Sequence, residues 1–281
     1  YQEQTKALSL ISPYQFHGIE RDTFGVELAK VTLMLAKKLA LDEAIATLGA
    51  TQSELPFDKD EALPLDNLDA NFICGDALFA EWPQTDTIVS NPPYQSKNKI
   101  QKELGRAYMN RVRGAYPDVD GRADYCVYWF RKAHDHLKHG QKAGLVGTNT
   151  IRQNYSRTGG LDYIVENGGT ITEAVSSMKW SGDAAVDVSI VNWDKGKSSG
   201  KKRLYIQKGN DPAQGWSYEE LDKISSSLSF ETDVTQARRI EANAARGGCF
   251  QGQTHGHEGF LLTLLEASEA IAIDKKNSAV L

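Results

Sequence analysis

Two consecutive prolines end an apolar run in the first third of the chain: Asp86-Thr87-Ile88-Val89-Ser90, then Asn91-Pro92-Pro93-Tyr94. The run is short, β-branched at its centre and cut off sharply, so it reads as a buried strand. Each proline fixes its own φ and has no N–H to donate, so the pair stops a ladder and imposes a stiff turn. That turn presents an amide side chain, carbonyls without a ladder partner and an aromatic ring at the carboxyl end of a strand. The set suits a planar base with an exocyclic amine. The Asn91 side-chain oxygen and the Pro92 carbonyl can accept the two amine hydrogens, and the Tyr94 ring can stack on the base. Read as plain structure, the same residues are a Pro-Pro loop with Tyr94 in ordinary packing.

The rest of the chain alternates short apolar runs with helical patterns. Gln15 to Glu20 reads as a strand ending in an acid, and Thr23 to Leu41 as a helix entered through Asp22. Asn71 to Cys74 is a second strand, closed by Gly75-Asp76, and Asp86 to Ser90 the third. Residues 95–121 read as a long polar loop. Ala123 to His139 reads as a helix with Tyr125, Val127, Tyr128 and Phe130 on its inner face. Further strands are expected over 143–148, 170–176, 186–193 and 203–206, with a helix over 161–167. This alternation predicts an open, mostly parallel α/β sheet. Ligands of such sheets bind beyond the carboxyl ends of the strands, and Glu20, Asp76 and Asn91 all lie just past such ends. The three are therefore expected to line one crevice.

Bulk properties narrow the setting. The chain has 281 residues, 40% of them hydrophobic and 25% charged, with a formal net charge of −5. No apolar run reaches the ~18 residues of a membrane span, and the polar start carries no secretory signal. Cys74, Cys126 and Cys249 are widely spaced, which favours reduced thiols in a cytoplasm over disulfides or zinc. The His-x-His pairs at 134/136 and 255/257 lack Cys or acid partners at metal spacing, so no metal site is expected.

Asn91 to Tyr94 after an apolar strand resembles the catalytic motif of the amino-methyltransferases, which use S-adenosylmethionine. The ordered set extends the resemblance: Gly18-Ile19-Glu20-Arg21-Asp22, Gly75-Asp76-Ala77-Leu78, Ala123-Asp124-Tyr125, Gly144 to Asn149, and Val188 to Trp193. It spans about residues 15–210 and is most similar to the N6-adenine DNA methyltransferases of restriction–modification systems, the MmeI-like fused enzymes in particular. It implies a Rossmann-like class I methyltransferase sheet. It implies that Glu20 holds the cofactor ribose and that Asp76 accepts the cofactor's adenine amine. Ala77, Leu78 and the start of the 123–139 helix would give apolar contact to the purine, with Asn91 at the same site. Asn91, Pro92, Pro93 and Tyr94 would carry methyl transfer to a flipped adenine.

The stretch after the motif is basic, with Lys97, Lys99, Lys102, Arg106, Arg111 and Arg113 interleaved with Tyr108 and Tyr116. It reads as a loop contacting phosphates of double-stranded DNA, or more blandly as a solvated charged loop. Asn149 to Asn154, past the fourth strand, reads as target-base or backbone contact, with Asn149 and Arg152 as the contacting residues, and Trp180 to Ala185 as a wall of the base pocket; each segment reads equally as a structural turn. The organisation expected is a methyltransferase domain over 1–210, a helical linker over 211–246, and the entry of a target-recognition domain over 247–281. The family's first motif, a Gly-rich loop after the central strand, has no counterpart before Glu20 or later. The resemblance therefore implies a fragment of a larger restriction–modification polypeptide, beginning downstream of that loop and inactive alone. Its sheet would be broken by a cleft or a rearrangement where the central strand belongs. Two alternatives stand beside this reading: a non-catalytic DNA-binding module on the same scaffold, and a methyltransferase acting on a protein glutamine or an RNA adenine.

Overall fold

The computed structural model describes residues 12–48, 68–95, 97–180, 186–209, 215–230 and 262–279. The chain divides into two units, Tyr1–Thr235 and Gln236–Leu281. In the first unit the strands are β1 (Gly18–Glu20), β2 (Phe72–Cys74), β3 (Thr87–Ser90), β4 (Lys142–Thr148), β5 (Gly169–Lys179), β6 (Asp187–Lys195), β7 (Lys202–Gln207) and β8 (Trp216–Leu221). The helices are α1 (Thr23–Leu48), α2 (Lys97–Ala115) and α3 (Val127–His136). A further helix, α4, covers residues 154–166 and contains a π-helical turn at Thr158–Asp162. In the second unit the described residues form α5 (Leu264–Ile273) and a 3₁₀ turn. The expected entry of a recognition domain at 247–261 lies outside the described residues.

The strands fall into two sheets: β1 beside β2, and six strands in the order β3-β4-β6-β5-β7-β8. Among the described residues no strand joins β1 to β3, so the two sheets are separate. The β1–β2, β3–β4 and β5–β7 pairs are parallel, whereas β4–β6, β5–β6 and β7–β8 are antiparallel. The large sheet is thus mixed rather than mostly parallel. The physical reason is the β5–β6 connection, which is too short to hold the helix that a parallel crossover needs.

One face of the large sheet carries the core. Phe130 of α3 stacks on Trp193 of β6 with ring centroids 5.7 Å apart, and both side chains are fully buried. Leu145 of β4, Val191 of β6 and Leu204 of β7 join them, with Leu161 and Ile164 from α4. Gly168 turns the chain with φ of 84°. Gly169 then starts β5 so close to α4 that a Cβ would sit 2.7 Å from the Ile164 carbonyl oxygen.

Two expected segments are corrected. Residues 95–121 are not a loop but mostly the helix α2. Ile100, Leu104, Tyr108 and Val112 recur every four residues, and this apolar stripe faces inward beneath the charged surface. The helix breaks at Gly105, whose φ of 83° and ψ of 163° are far from helical. Nor are residues 211–246 a helical linker throughout. Trp216–Leu221 pair with β7, and Ile224 and Leu228 are buried in the core. Hydrophobic anchors therefore carry the first unit past residue 210.

Candidate active site

The carboxyl ends of β1, β2 and β3 meet at a cavity of about 500 Å³. Glu20, Asp76 and Asn91 all line it, as the three strand ends predict. Ala77, Pro92 and Pro93 line it too. A second cavity of about 340 Å³ runs between β1 and β3 and shares Ile19, Ala77, Ser90, Asn91 and Trp129 with the first.

Each acid is set by its local backbone. Glu20 Oε1 accepts from the Arg21 and Asp22 N–H groups at 2.6 and 3.0 Å, which turns the exposed carboxylate toward the entrance of α1. Gly25 lies so near that a Cβ there would stand 2.8 Å from the Glu20 side chain. Asp76 Oδ1 accepts from the Leu78 N–H at 3.0 Å, an Asx-type cap of the turn after β2. The Leu78 side chain itself is buried in the core; it reaches the site through its backbone alone. Lys132 of α3 fixes the same turn by donating to the Ala77 and Ala80 carbonyls at 2.7 and 2.6 Å. Burial holds its ammonium below the usual lysine range, while the nearby Asp76 pulls the other way.

At the proline turn, the Tyr94 hydroxyl donates to Asn91 Oδ1. The Tyr94 ring meets Trp180 edge-to-face at 6.1 Å and 80°. Trp180 therefore stands against the turn; residues 181–185 lie outside the described residues. Burial pushes the Tyr94 hydroxyl up to about 12, so it stays a donor at neutral pH. Pro92 is buried, and the Gln95 carbonyl accepts from the Tyr125 N–H at 3.2 Å, tying the turn to α3.

Several lining residues were not anticipated in this role. Glu103, Leu104 and Tyr108 reach the cavity from α2, and Trp129 from α3. Tyr125, at the expected helix start, lines it as foreseen. The four-residue spacings 104–108 and 125–129 are the signals that would have found the pairs, once 95–121 is read as a helix.

The basic residues do not all share one surface. Lys99, Lys102, Arg106 and Arg111 are exposed on α2, and the Arg111 guanidinium lies 3.7 Å over the Phe79 ring. Lys97 belongs to α2, but its side chain lies outside the described residues. Arg113 instead turns inward against Tyr128 and Gly121, with its Nε buried and unpaired. Asn149 and Arg152 share a 3₁₀ turn past β4, where Asn149 Oδ1 accepts from Arg152 Nε at 2.7 Å. That turn is held to α3 by Asp124, whose carboxylate accepts from both Thr148 and Thr150 hydroxyls.

The His134 and His136 rings bind backbone carbonyls, of Asn167 and Pro83 respectively. Among the described residues no group of three His, Cys, Asp or Glu side chains is arranged to hold a metal. Nor is any described helix long and apolar enough to cross a membrane.

No curated protein matches the chain in sequence. The structure of the type IIL restriction–modification enzyme MmeI in complex with DNA superposes with a TM-score of 0.65 at 21% identity. That match covers 80% of this chain, and the chain spans 30% of the MmeI polypeptide. The M protein of the type I enzyme EcoKI gives 0.44 at 11% identity, covering 73% of this chain and 40% of that one. Residues 1–206 match the family described as the DNA-methyltransferase domain of MmeI, and the chain belongs to that family.

Proposed function

We infer that this chain carries the catalytic part of a site-specific DNA methyltransferase, moving a methyl group from S-adenosylmethionine to N6 of adenine in double-stranded DNA. The observation that carries the reading is the convergence of Glu20, Asp76 and Asn91 on one cavity, with the Asn91–Tyr94 turn at its rim. Membership in a DNA-methyltransferase family supports DNA over a protein amide or RNA, and supports catalysis over a bare scaffold.

The donor set suits the cofactor. The cavity volume lies within the ~300–1,000 Å³ of small-molecule sites. The Glu20 carboxylate is suited to the vicinal hydroxyls of a ribose, and Asp76 to an adenine amine. Ala77, Leu104 and Trp129 supply apolar wall to a purine. Bound there, S-adenosylmethionine supplies a methyl group already activated on a sulfonium.

The chain's own residues do the rest. The lone pair of the target amine is delocalised into its ring, so the amine is a weak nucleophile. Asn91 Oδ1 and the Pro92 carbonyl accept its hydrogens, which favours a pyramidal nitrogen and stabilises the positive charge that develops. Tyr94 and Trp180 form an aromatic corner that holds the extruded base, each stacking contact contributing ~1–3 kcal/mol. The exposed cations of α2, with Arg152, would neutralise phosphates flanking the base. Residues 247–281 lead into a target-recognition domain of a larger cytoplasmic restriction–modification polypeptide.

The test is label transfer from methyl-tritiated S-adenosylmethionine to unmethylated genomic DNA. Incorporation is expected with the larger enzyme that carries this chain and is abolished in its Asn91→Ala variant. Equal incorporation by the Asn91→Ala variant refutes the assignment of the turn.

A further inference from the structure

Tyr108 lies in the basic helix, yet its hydroxyl is committed to the opposite side of the cavity. It donates to Asp76 Oδ2 at 2.8 Å. A carboxylate has no proton to give, so this direction is fixed. The same hydroxyl is in contact with that of Tyr125, and with its own proton spent on Asp76, Tyr108 must be the acceptor there. The three groups form one directed chain: Tyr125 donates to Tyr108, and Tyr108 donates to Asp76. Tyr125 is buried, and Tyr108 packs edge-to-face on Phe79 at 5.9 Å, so neither ring is free to swing. The other Asp76 oxygen is held by the Leu78 N–H. Both carboxylate oxygens are thus pinned, leaving the remaining lone pairs of Asp76 in a set direction.

We propose that Tyr108 is a positioning residue of the cofactor site: it orients Asp76 so that the carboxylate meets the exocyclic amine of the cofactor's adenine already aligned. This rests on the reading of the cavity as an S-adenosylmethionine site. An acceptor that is fixed in advance loses no rotamer freedom when the donor arrives, which is the origin of the gain. The chain of hydroxyls also ties α2 to the cofactor.

The probes are S-adenosylhomocysteine and S-inosylhomocysteine, titrated calorimetrically into the full chain. The inosine form replaces the amine by a carbonyl, an acceptor facing an acceptor, so the wild type prefers the adenosine form. Tyr108→Phe keeps the ring and loses the hydroxyl. It is expected to weaken the adenosine ligand by roughly five- to tenfold, the size of one lost hydrogen bond, with the inosine ligand unchanged. The preference ratio falls accordingly. Tyr125→Phe, one step removed, lowers the same ratio by a smaller factor and serves if Tyr108→Phe does not fold. Weakening of both ligands by one factor would show packing only and overturn the proposal, as would an unchanged ratio in both variants. A wild type without preference removes Asp76 from the amine, and the cofactor placement fails with the proposal.

Discussion

The contact between Tyr94 and Asn91 makes a sharp prediction. The Tyr94 hydroxyl occupies Asn91 Oδ1, the acceptor that the proposed mechanism assigns to the target amine. The ring and the hydroxyl of Tyr94 therefore act in opposite directions. In that mechanism the ring would hold the base by stacking, ~1–3 kcal/mol, or about five- to 150-fold in affinity. The hydroxyl competes for Asn91 with the strength of one neutral hydrogen bond, ~1 kcal/mol net, or about fivefold. Tyr94→Phe keeps the ring and removes the competitor. Its kcat/KM for methylation of unmethylated plasmid DNA should equal the wild-type value or exceed it by up to about fivefold. Tyr94→Ala removes both and should lose about five- to 150-fold, mainly through KM. Single-turnover transfer of labelled methyl groups over a range of DNA concentrations separates the two parameters. A Tyr94→Phe variant that falls as far as Tyr94→Ala would refute the reasoning, because the hydroxyl would then be needed for transfer.

Three further outcomes follow from particular contacts. Gly169→Ala forces a Cβ against the Ile164 backbone and should lower stability by ~1–3 kcal/mol, read as a shift in the urea midpoint at constant slope. Burial first, and the Lys195 ammonium 2.9 Å from Nε2 second, hold the His134 imidazole below its ordinary 6.5; Arg131 adds to this, while the Asn167 carbonyl and Asp135 oppose it. Because the unfolded chain takes up this proton first, stability should fall as pH drops below ~6.5, and His134→Gln should flatten that limb of a pH series of denaturation curves. Arg106→Ala should reduce the slope of log affinity for DNA against log salt by about 1, whereas Arg113→Ala, whose side chain faces the core, should leave the slope unchanged.

Much of the site was legible because its markers are local. A proline pair, a Gly-Asp turn and an acid before a helix each declare a strand end, and topology brings such ends together. The helical character of α2 was hidden by composition. Six cations obscured a stripe at 100, 104, 108 and 112 that only periodicity reveals, and Gly105 in its middle reads as a breaker. Read as part of a loop, Tyr108 falls on a DNA surface, whereas on the helix it faces the cavity. Arg113 could not be told from its basic neighbours, because its direction depends on where Tyr128 and Gly121 lie. The strand β8 escaped because its side chains are mostly exposed and its sequence is half acidic and polar; pairing with β7 holds it, not burial. The antiparallel insertion of β6 between β4 and β5 is a matter of tertiary order that strand patterns do not carry.

The central claim concerns which atom receives the methyl group. Unmethylated genomic DNA incubated with the enzyme and S-adenosylmethionine can be digested to nucleosides and resolved by mass spectrometry. The account predicts N6-methyladenine as the sole new nucleoside, absent when Asn91 is replaced by Ala. Methylcytosine in its place, or N6-methyladenine undiminished in the Asn91→Ala variant, would contradict it.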